Sequence, residues 1–265
     1  YWTNLAFLLH NAGRPEEAVE CGRKALAIQE VLLGEDHPET AAARQNLATS
    51  LAAIGEFDEA EEQAGRALTV FKAAYGERHT RVASVLNNTA LALLDQGEPE
   101  RALPRLEEAL AIYVETFGSE HVYVAIARHN VGRALHESGR LEEAERTCEE
   151  SFALFGEVFE GDHPNVAASA IQLAKVRRDR GRPTEAEPLL RDAVRIAGAT
   201  LNPDHPVRVR ADRELARCLF DLGRYDEAEE LLVAVQALHD STASPDDDEA
   251  RAIAAELDSL RRARD

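Results

Sequence analysis

The sequence predicts an all-α fold built from repeated helical hairpins, and three observations carry that prediction. Apolar residues make up 45% of the 265 positions, yet aromatics make up only 5% and methionine is absent. Such an Ala/Leu economy suits helix–helix contacts and is poor in the residues that strands favour. Glycine recurs at Gly13, Gly55, Gly97, Gly139, Gly181 and Gly223, each 42 residues after the last. Two further columns keep the same phase: Ala18, Ala60, Ala102, Ala144, Ala186 and Ala228, then His37, His79, His121, His163 and His205. Fixed-period self-similarity of this length marks a repeat architecture, in which each unit buries its apolar face only by stacking on its neighbours.

Each 42-residue copy reads as two helices. In the stretch before a glycine, Leu47, Ala48, Leu51 and Ile54 fall on one face at helical spacing; after it, Phe57, Ala60, Ala64, Ala67, Leu68, Phe71 and Tyr75 do the same. The glycine stops the first helix, because it takes a left-handed backbone readily. Acidic pairs then load the first turn of the second helix (Glu16 and Glu17, Asp58 and Glu59, Glu142 and Glu143, Asp226 and Glu227), where the helix dipole favours them. The alanine column lets the two helices approach closely. The expected organisation is six copies over residues 1–240, the first lacking its start, then a linker and a C-terminal capping helix over 241–265. The opening `YWTNLAFLLHNAG` falls already inside a helix, so further domains upstream in a longer parent chain are expected.

Charge and cysteine content narrow the function. Acidic residues outnumber basic ones 49 to 30, a formal charge of -19, which disfavours non-specific nucleic-acid binding. No apolar run approaches the length of a membrane span. Cys21, Cys148 and Cys218 are odd in number and far apart, which reads as reduced thiols in a cytoplasmic protein. No phosphate-binding glycine loop, `HExxH` or paired `CxxC` occurs, so no cofactor, metal or catalysis is expected. The periodic histidines do not read as ligands, since packed helices lie about 8–10 Å apart, too far for successive copies to share one ion. The `DHP` stretches read instead as the turn and first residues of each first helix, stiffened by Pro38, Pro164 and Pro206.

The pattern `NLA…L…GR.EEA…A` followed by `G.DHP..A` resembles the tetratricopeptide repeat, and the 42-residue period with its `DHP` linker resembles the kinesin-light-chain type. The resemblance covers almost the whole chain. It implies a right-handed superhelical solenoid of helix-turn-helix repeats, with first helices lining a concave face. Trp2 falls at the family's favoured tryptophan position, which Arg44, Leu86, Arg128, Ala170 and Asp212 fill in the other copies. Asn4, Asn46, Asn88 and Asn130 keep the family-like asparagine, whereas Gln172 and Glu214 replace it. Arg177 stands where the other copies have leucine, so the fifth copy departs most from the packing pattern.

Three positions after the asparagine column, on the same helix face, lie Phe7, Thr49, Leu91, Arg133, Lys175 and Arg217. The second half is a basic row in a chain with three lysines, and Arg178, Arg210 and Arg213 fall on or beside it. The amides suit the backbone of an extended peptide, and the basic row suits an acidic one. Acids four residues on (Glu137 for Arg133, Asp179 for Lys175, Asp221 for Arg217) offer the competing account of a self-neutralised surface. The expected function is therefore a non-catalytic module binding a protein or peptide, acidic in character, in the concave groove, with no nucleic acid and no membrane. The second expectation rests on fold analogy: similar repeats form the sensor arm of bacterial signal-transduction ATPases with an NB-ARC-type motor, which the arginine-rich composition of a GC-rich bacterium would fit.

Overall fold

The computed structural model describes residues 1–242 and 248–264. Among them are thirteen α-helices and no strand. They divide into two compact units, residues 1–138 and 139–265. The first holds α1 (Trp2–Asn11), α2 (Pro15–Leu33), α3 (Pro38–Ala53), α4 (Phe57–Tyr75), α5 (Thr80–Asp95), α6 (Pro99–Phe117) and α7 (Val122–Glu137). The second holds α8 (Leu141–Val158), α9 (Pro164–Asp179), α10 (Pro183–Thr200), α11 (Pro206–Asp221), α12 (Tyr225–Thr242) and α13 (Asp248–Arg264). The linker expected from residue 241 lies in part outside the described residues, and α12 runs through Thr242, past the expected boundary.

Helix starts and stops follow from side-chain chemistry. Every odd-numbered helix from α3 to α11 begins on a histidine N-cap, as the `DHP` stretches predict. The imidazole Nδ1 accepts the N–H two residues on: Glu39 to His37 at 3.1 Å and Arg81 to His79 at 3.1 Å, with Tyr123, Asn165 and Val207 alike. That bond satisfies one of the orphan donors of a helix start. At the other end, Gly97 takes φ 74 after α5, and the Glu98 N–H closes on the Leu93 carbonyl at 2.9 Å. This is the left-handed stop expected of that glycine column.

In each unit every helix packs on its neighbours in sequence, and odd-numbered helices also touch one another, α1, α3, α5 and α7 in the first unit and α9 and α11 in the second. Within each unit these odd-numbered helices therefore form a closely spaced layer. Between the layers, all six alanines of the Ala18 column are buried, because only a methyl group fits where two backbones approach this closely. Phe71, Ile112, Val82 and Leu86 fill the first unit's core, and Leu190, Ile196, Ile171 and Leu219 are buried in the second.

Where arginine replaces the packing leucine in the fifth copy, a buried ion pair replaces an apolar contact. Arg177 Nε donates to Glu145 on α8 at 3.2 Å and its Nη2 to Glu149 at 2.7 Å. Arg180 and Arg182 converge on the same Glu145 carboxylate.

Candidate functional site

The exposed odd-helix layer of the first unit is amide-rich. Asn4 is exposed, Asn46 and Asn88 are half-buried, and Asn130 is buried. The amides bridge successive helices. Asn130 Nδ2 donates to Asn87 at 2.8 Å, Asn87 to Asn88 at 3.3 Å, Asn88 to Thr49 at 3.5 Å, and Gln45 to Ser84 at 2.7 Å. A small slot of about 20 Å³ lies beside Gln45, Thr49, Asn88 and Gln96, walled mostly by apolar side chains such as Phe57, Val85 and Leu93. Arg133, on α7, is held by Asp95 at 2.9 Å and by Glu137 at 2.7 Å, the latter being the helical pair expected from sequence.

The second unit carries a basic cleft of about 280 Å³, lined by Lys175, Pro206, Arg210, Arg213, Glu214 and Arg217. Its geometry follows from helical spacing: Arg210, Arg213 and Arg217 sit at i, i+3 and i+7 of α11 and form one stripe, facing Lys175 on α9. Two of the three expected helical ion pairs are not the ones formed. Asp221 accepts from Arg178 at 2.8 Å rather than from Arg217, and Lys175 pairs with no carboxylate among the described residues. Arg217 turns to Glu214 at 2.7 Å and to Glu256 on α13, which Arg213 also meets at 2.8 Å. Arg178 holds the other oxygen of Glu214 at 2.8 Å. Burial pushes the Glu256 carboxyl up, but hydrogen bonds from Arg213 and Arg217 outweigh it and hold it below the usual carboxylate range.

Lys175, Arg178, Arg210, Arg213 and Arg217 thus face Glu214, Asp221 and Glu256. Two of these five cations make no ion pair among the described residues, in a chain of net charge -19. They are Lys175 and Arg210, whereas Arg178, Arg213 and Arg217 are committed. Arg217 also borders a second cavity of about 300 Å³ with Phe220, Leu232 and Leu260, so apolar surface adjoins the cations. The arrangement suits an anionic group, because a guanidinium and an ammonium left without counter-ions gain charge-assisted hydrogen bonds from a carboxylate. Glu256, supplied by the last helix, had no signal in the pattern, since the counter-charges weighed from sequence lay four residues away on the same helix.

No group of three or more His, Cys, Asp or Glu among the described residues has the geometry of a metal site. All three cysteines are free and buried. Burial pushes the Cys148 thiol up to about 12 and the Cys218 thiol up to about 11, which leaves both as protonated packing groups. No helix among the described residues is long and apolar enough to cross a membrane.

Comparison with known proteins places this architecture. The tetratricopeptide repeat profile matches residues 1–73, 48–115, 81–155, 123–199 and 171–239, nearly the whole chain. Comparison with curated sequences gives no match. Among solved structures, the nearly identical TPR-like repeats of a Podosopora anserina protein described as a kinesin light chain align at 29% identity with a TM-score of 0.63, covering 78% of this chain and 99% of that one. BtubC (BKLC) from P. vanneervenii aligns at 26% identity and a TM-score of 0.63, covering 76% of this chain and 80% of that one. A Rap protein complexed with Competence and Sporulation Factor, at 17% identity, shares the fold, with a TM-score of 0.70 over 99% of this chain and 74% of that one. The chain belongs to the tetratricopeptide repeat family, in its kinesin-light-chain-like form.

Proposed function

We propose that the chain is a non-catalytic protein-interaction module whose second unit grips an acidic partner segment along the odd-helix face. The observation that carries this reading is the pair Lys175 and Arg210, left without carboxylates beside the cleft in a strongly acidic chain. A partner carboxylate supplies what these two groups lack. Arg213 and Arg217 add potential to the site while Glu214 and Glu256 hold them in place. In the first unit, Asn4, Asn46 and Asn88 offer amide groups to an extended backbone, which gives affinity with little demand on sequence.

The test is fluorescence anisotropy with a labelled eight-residue peptide of alternating Glu and Gly, in about 0.15 M salt to screen long-range attraction. Each charge-assisted hydrogen bond contributes about 1.5–3 kcal/mol. Substituting Lys175→Glu and Arg210→Glu together is therefore expected to weaken the peptide at least tenfold while leaving the helical circular dichroism unchanged. Equal binding by the folded variant would place the partner elsewhere.

A further inference from the structure

A repeat protein is its own control: a residue shared by the copies serves the fold, and an exposed departure from them asks for another reason. The junction between the third and fourth hairpins departs at two such positions. Val114 stands where the other second helices have Glu30, Lys72, Gly156, Gly198 and Asp240, and Tyr123 stands where the other first helices have Glu39, Arg81, Asn165 and Val207. Val114 is 37% exposed and Tyr123 is 49% exposed, and Phe117 beside them is 38% exposed. The rings meet at the α6–α7 turn: Tyr113 to Tyr123 at 5.6 Å between centroids, Phe117 to Tyr123 at 5.5 Å and Phe117 to the capping His121 at 4.3 Å. Val114 neighbours Phe117 one helical turn on.

The turn itself does not require this cluster. The preceding copy closes the same junction with one aromatic on the capping histidine, Tyr75 on His79 at 4.6 Å. Val114 and Tyr123 add apolar and aromatic area to an exposed edge that folds without it, and exposed apolar patches of this kind mark interaction sites.

Local charge selects the partner. Residues 106–127 contain four glutamates and no lysine or arginine, and the first unit holds 21 acidic against 12 basic residues. Glu115 is occupied by Arg78 at 2.6 Å. Glu120, one residue before His121, is exposed and makes no ion pair among the described residues. Aromatic faces and a spare carboxylate together favour a cation, and arginine is the side chain that both stacks on rings and pairs with carboxylates.

We propose that the Tyr113, Phe117 and Tyr123 edge of the first unit docks a basic partner segment, an extended stretch whose arginine lies over an exposed ring and pairs with Glu120. This surface is separate from the basic cleft of the second unit and opposite to it in charge, so either reading stands or falls without the other.

The probe is a labelled eight-residue peptide of alternating Gly and Arg, titrated against the full chain in about 0.15 M salt. The deciding variant carries Val114→Glu and Tyr123→Glu, the residues that the junction of the first and second copies holds at Glu30 and Glu39, so the repeat accommodates both. It makes the edge more acidic. General attraction to an acidic protein would therefore hold or tighten binding, whereas seating on the rings weakens it, by tenfold or more as expected here. The Lys175→Glu and Arg210→Glu variant is expected to bind this peptide no more weakly than the parent. Ring-proton shifts of Tyr113 and Tyr123 during titration of the unaltered chain give a readout independent of any variant. The proposal is overturned by absence of binding, by undiminished binding to the Val114→Glu, Tyr123→Glu chain, or by unmoved ring protons. It is equally overturned by a doubled mass in sedimentation that the variant abolishes, which would make a second copy the occupant.

Discussion

Glu145 is the carboxylate whose removal should cost the second unit most. Its side chain is 8% exposed and accepts from Arg177, Arg180 and Arg182, whose side chains are 21–34% exposed. The corresponding pair in the preceding copy is Leu103 and Leu135, both buried. Breaking a buried pair from one side costs about 3–5 kcal/mol. The guanidiniums retain some water, so Glu145→Leu is expected at the low end, about 3 kcal/mol. Arg177→Leu leaves two partners on Glu145 and should cost about 1 kcal/mol. The double variant recreates the apolar pair of the preceding copy and should lie within about 1 kcal/mol of the parent, since hydrophobic replacement of a buried ion pair is often neutral. The cycle therefore predicts a coupling of about 4 kcal/mol between the two sites. Burial raises the Glu145 carboxyl, but Arg182, Arg180 and Arg177 outweigh it and hold it below the usual range. A depressed folded value means that this stabilisation is complete above the unfolded value near ~4.3 and is lost as pH falls through the folded one. Urea unfolding followed by circular dichroism, at pH 7 and at pH 3, measures both effects. A Glu145→Leu chain as stable as the parent at pH 7, or a deficit unchanged at pH 3, would refute the reasoning.

Two further outcomes follow from the caps and the thiols. His79→Ala removes the acceptor for the Arg81 N–H at 3.1 Å and the ring stacked on Tyr75, and should cost about 1 kcal/mol in urea unfolding, with His79→Asn recovering most of it by restoring a side-chain acceptor. Burial raises the Cys148 and Cys218 thiols to about 12 and about 11, so at pH 8 both should react with a disulfide reagent at least tenfold more slowly in the native chain than in urea; equal rates would show that the two sites open freely.

What was legible in the sequence divides by the reach of the side chain. The alanine and glycine columns were readable because each answers a constraint local to one hairpin, a methyl between two backbones and a left-handed stop; the histidine column was readable as the place where a first helix starts, and the structure adds that its ring accepts the helix-start N–H. These constraints recur every 42 residues and admit few residue types. Long charged side chains answer to helices that are distant in sequence. Arg178 takes Asp221 across 43 residues, and Arg217 takes Glu256 across 39. Counting acids four places along one helix therefore matched Arg133 with Glu137 and missed the other two. Arg177 stood out as a departure, but its compensating Glu145 did not. Glutamate also occupies that column at Glu61, Glu187 and Glu229, so nothing in the column marks the one that is buried under three arginines.

The same division bears on where a partner is held. Residues that the copies share are spent on stacking, as the buried alanines show, so specificity has to come from positions where one copy differs and the difference reaches solvent. Two groups of residues meet that condition. Lys175 and Arg210 are cations without counter-ions among the described residues of the second unit, and Val114 and Tyr123 are apolar groups where other copies carry mostly polar residues or glycine, in a stretch of the first unit without a single lysine or arginine. Neither group is needed to close a hairpin, because copies without them close in the same way. A scaffold whose surplus features differ in sign between its units is suited to hold two unlike segments, an acidic one on the second unit and a basic one on the first. Measured with the two peptides on one chain, each binding should then survive the variant that abolishes the other.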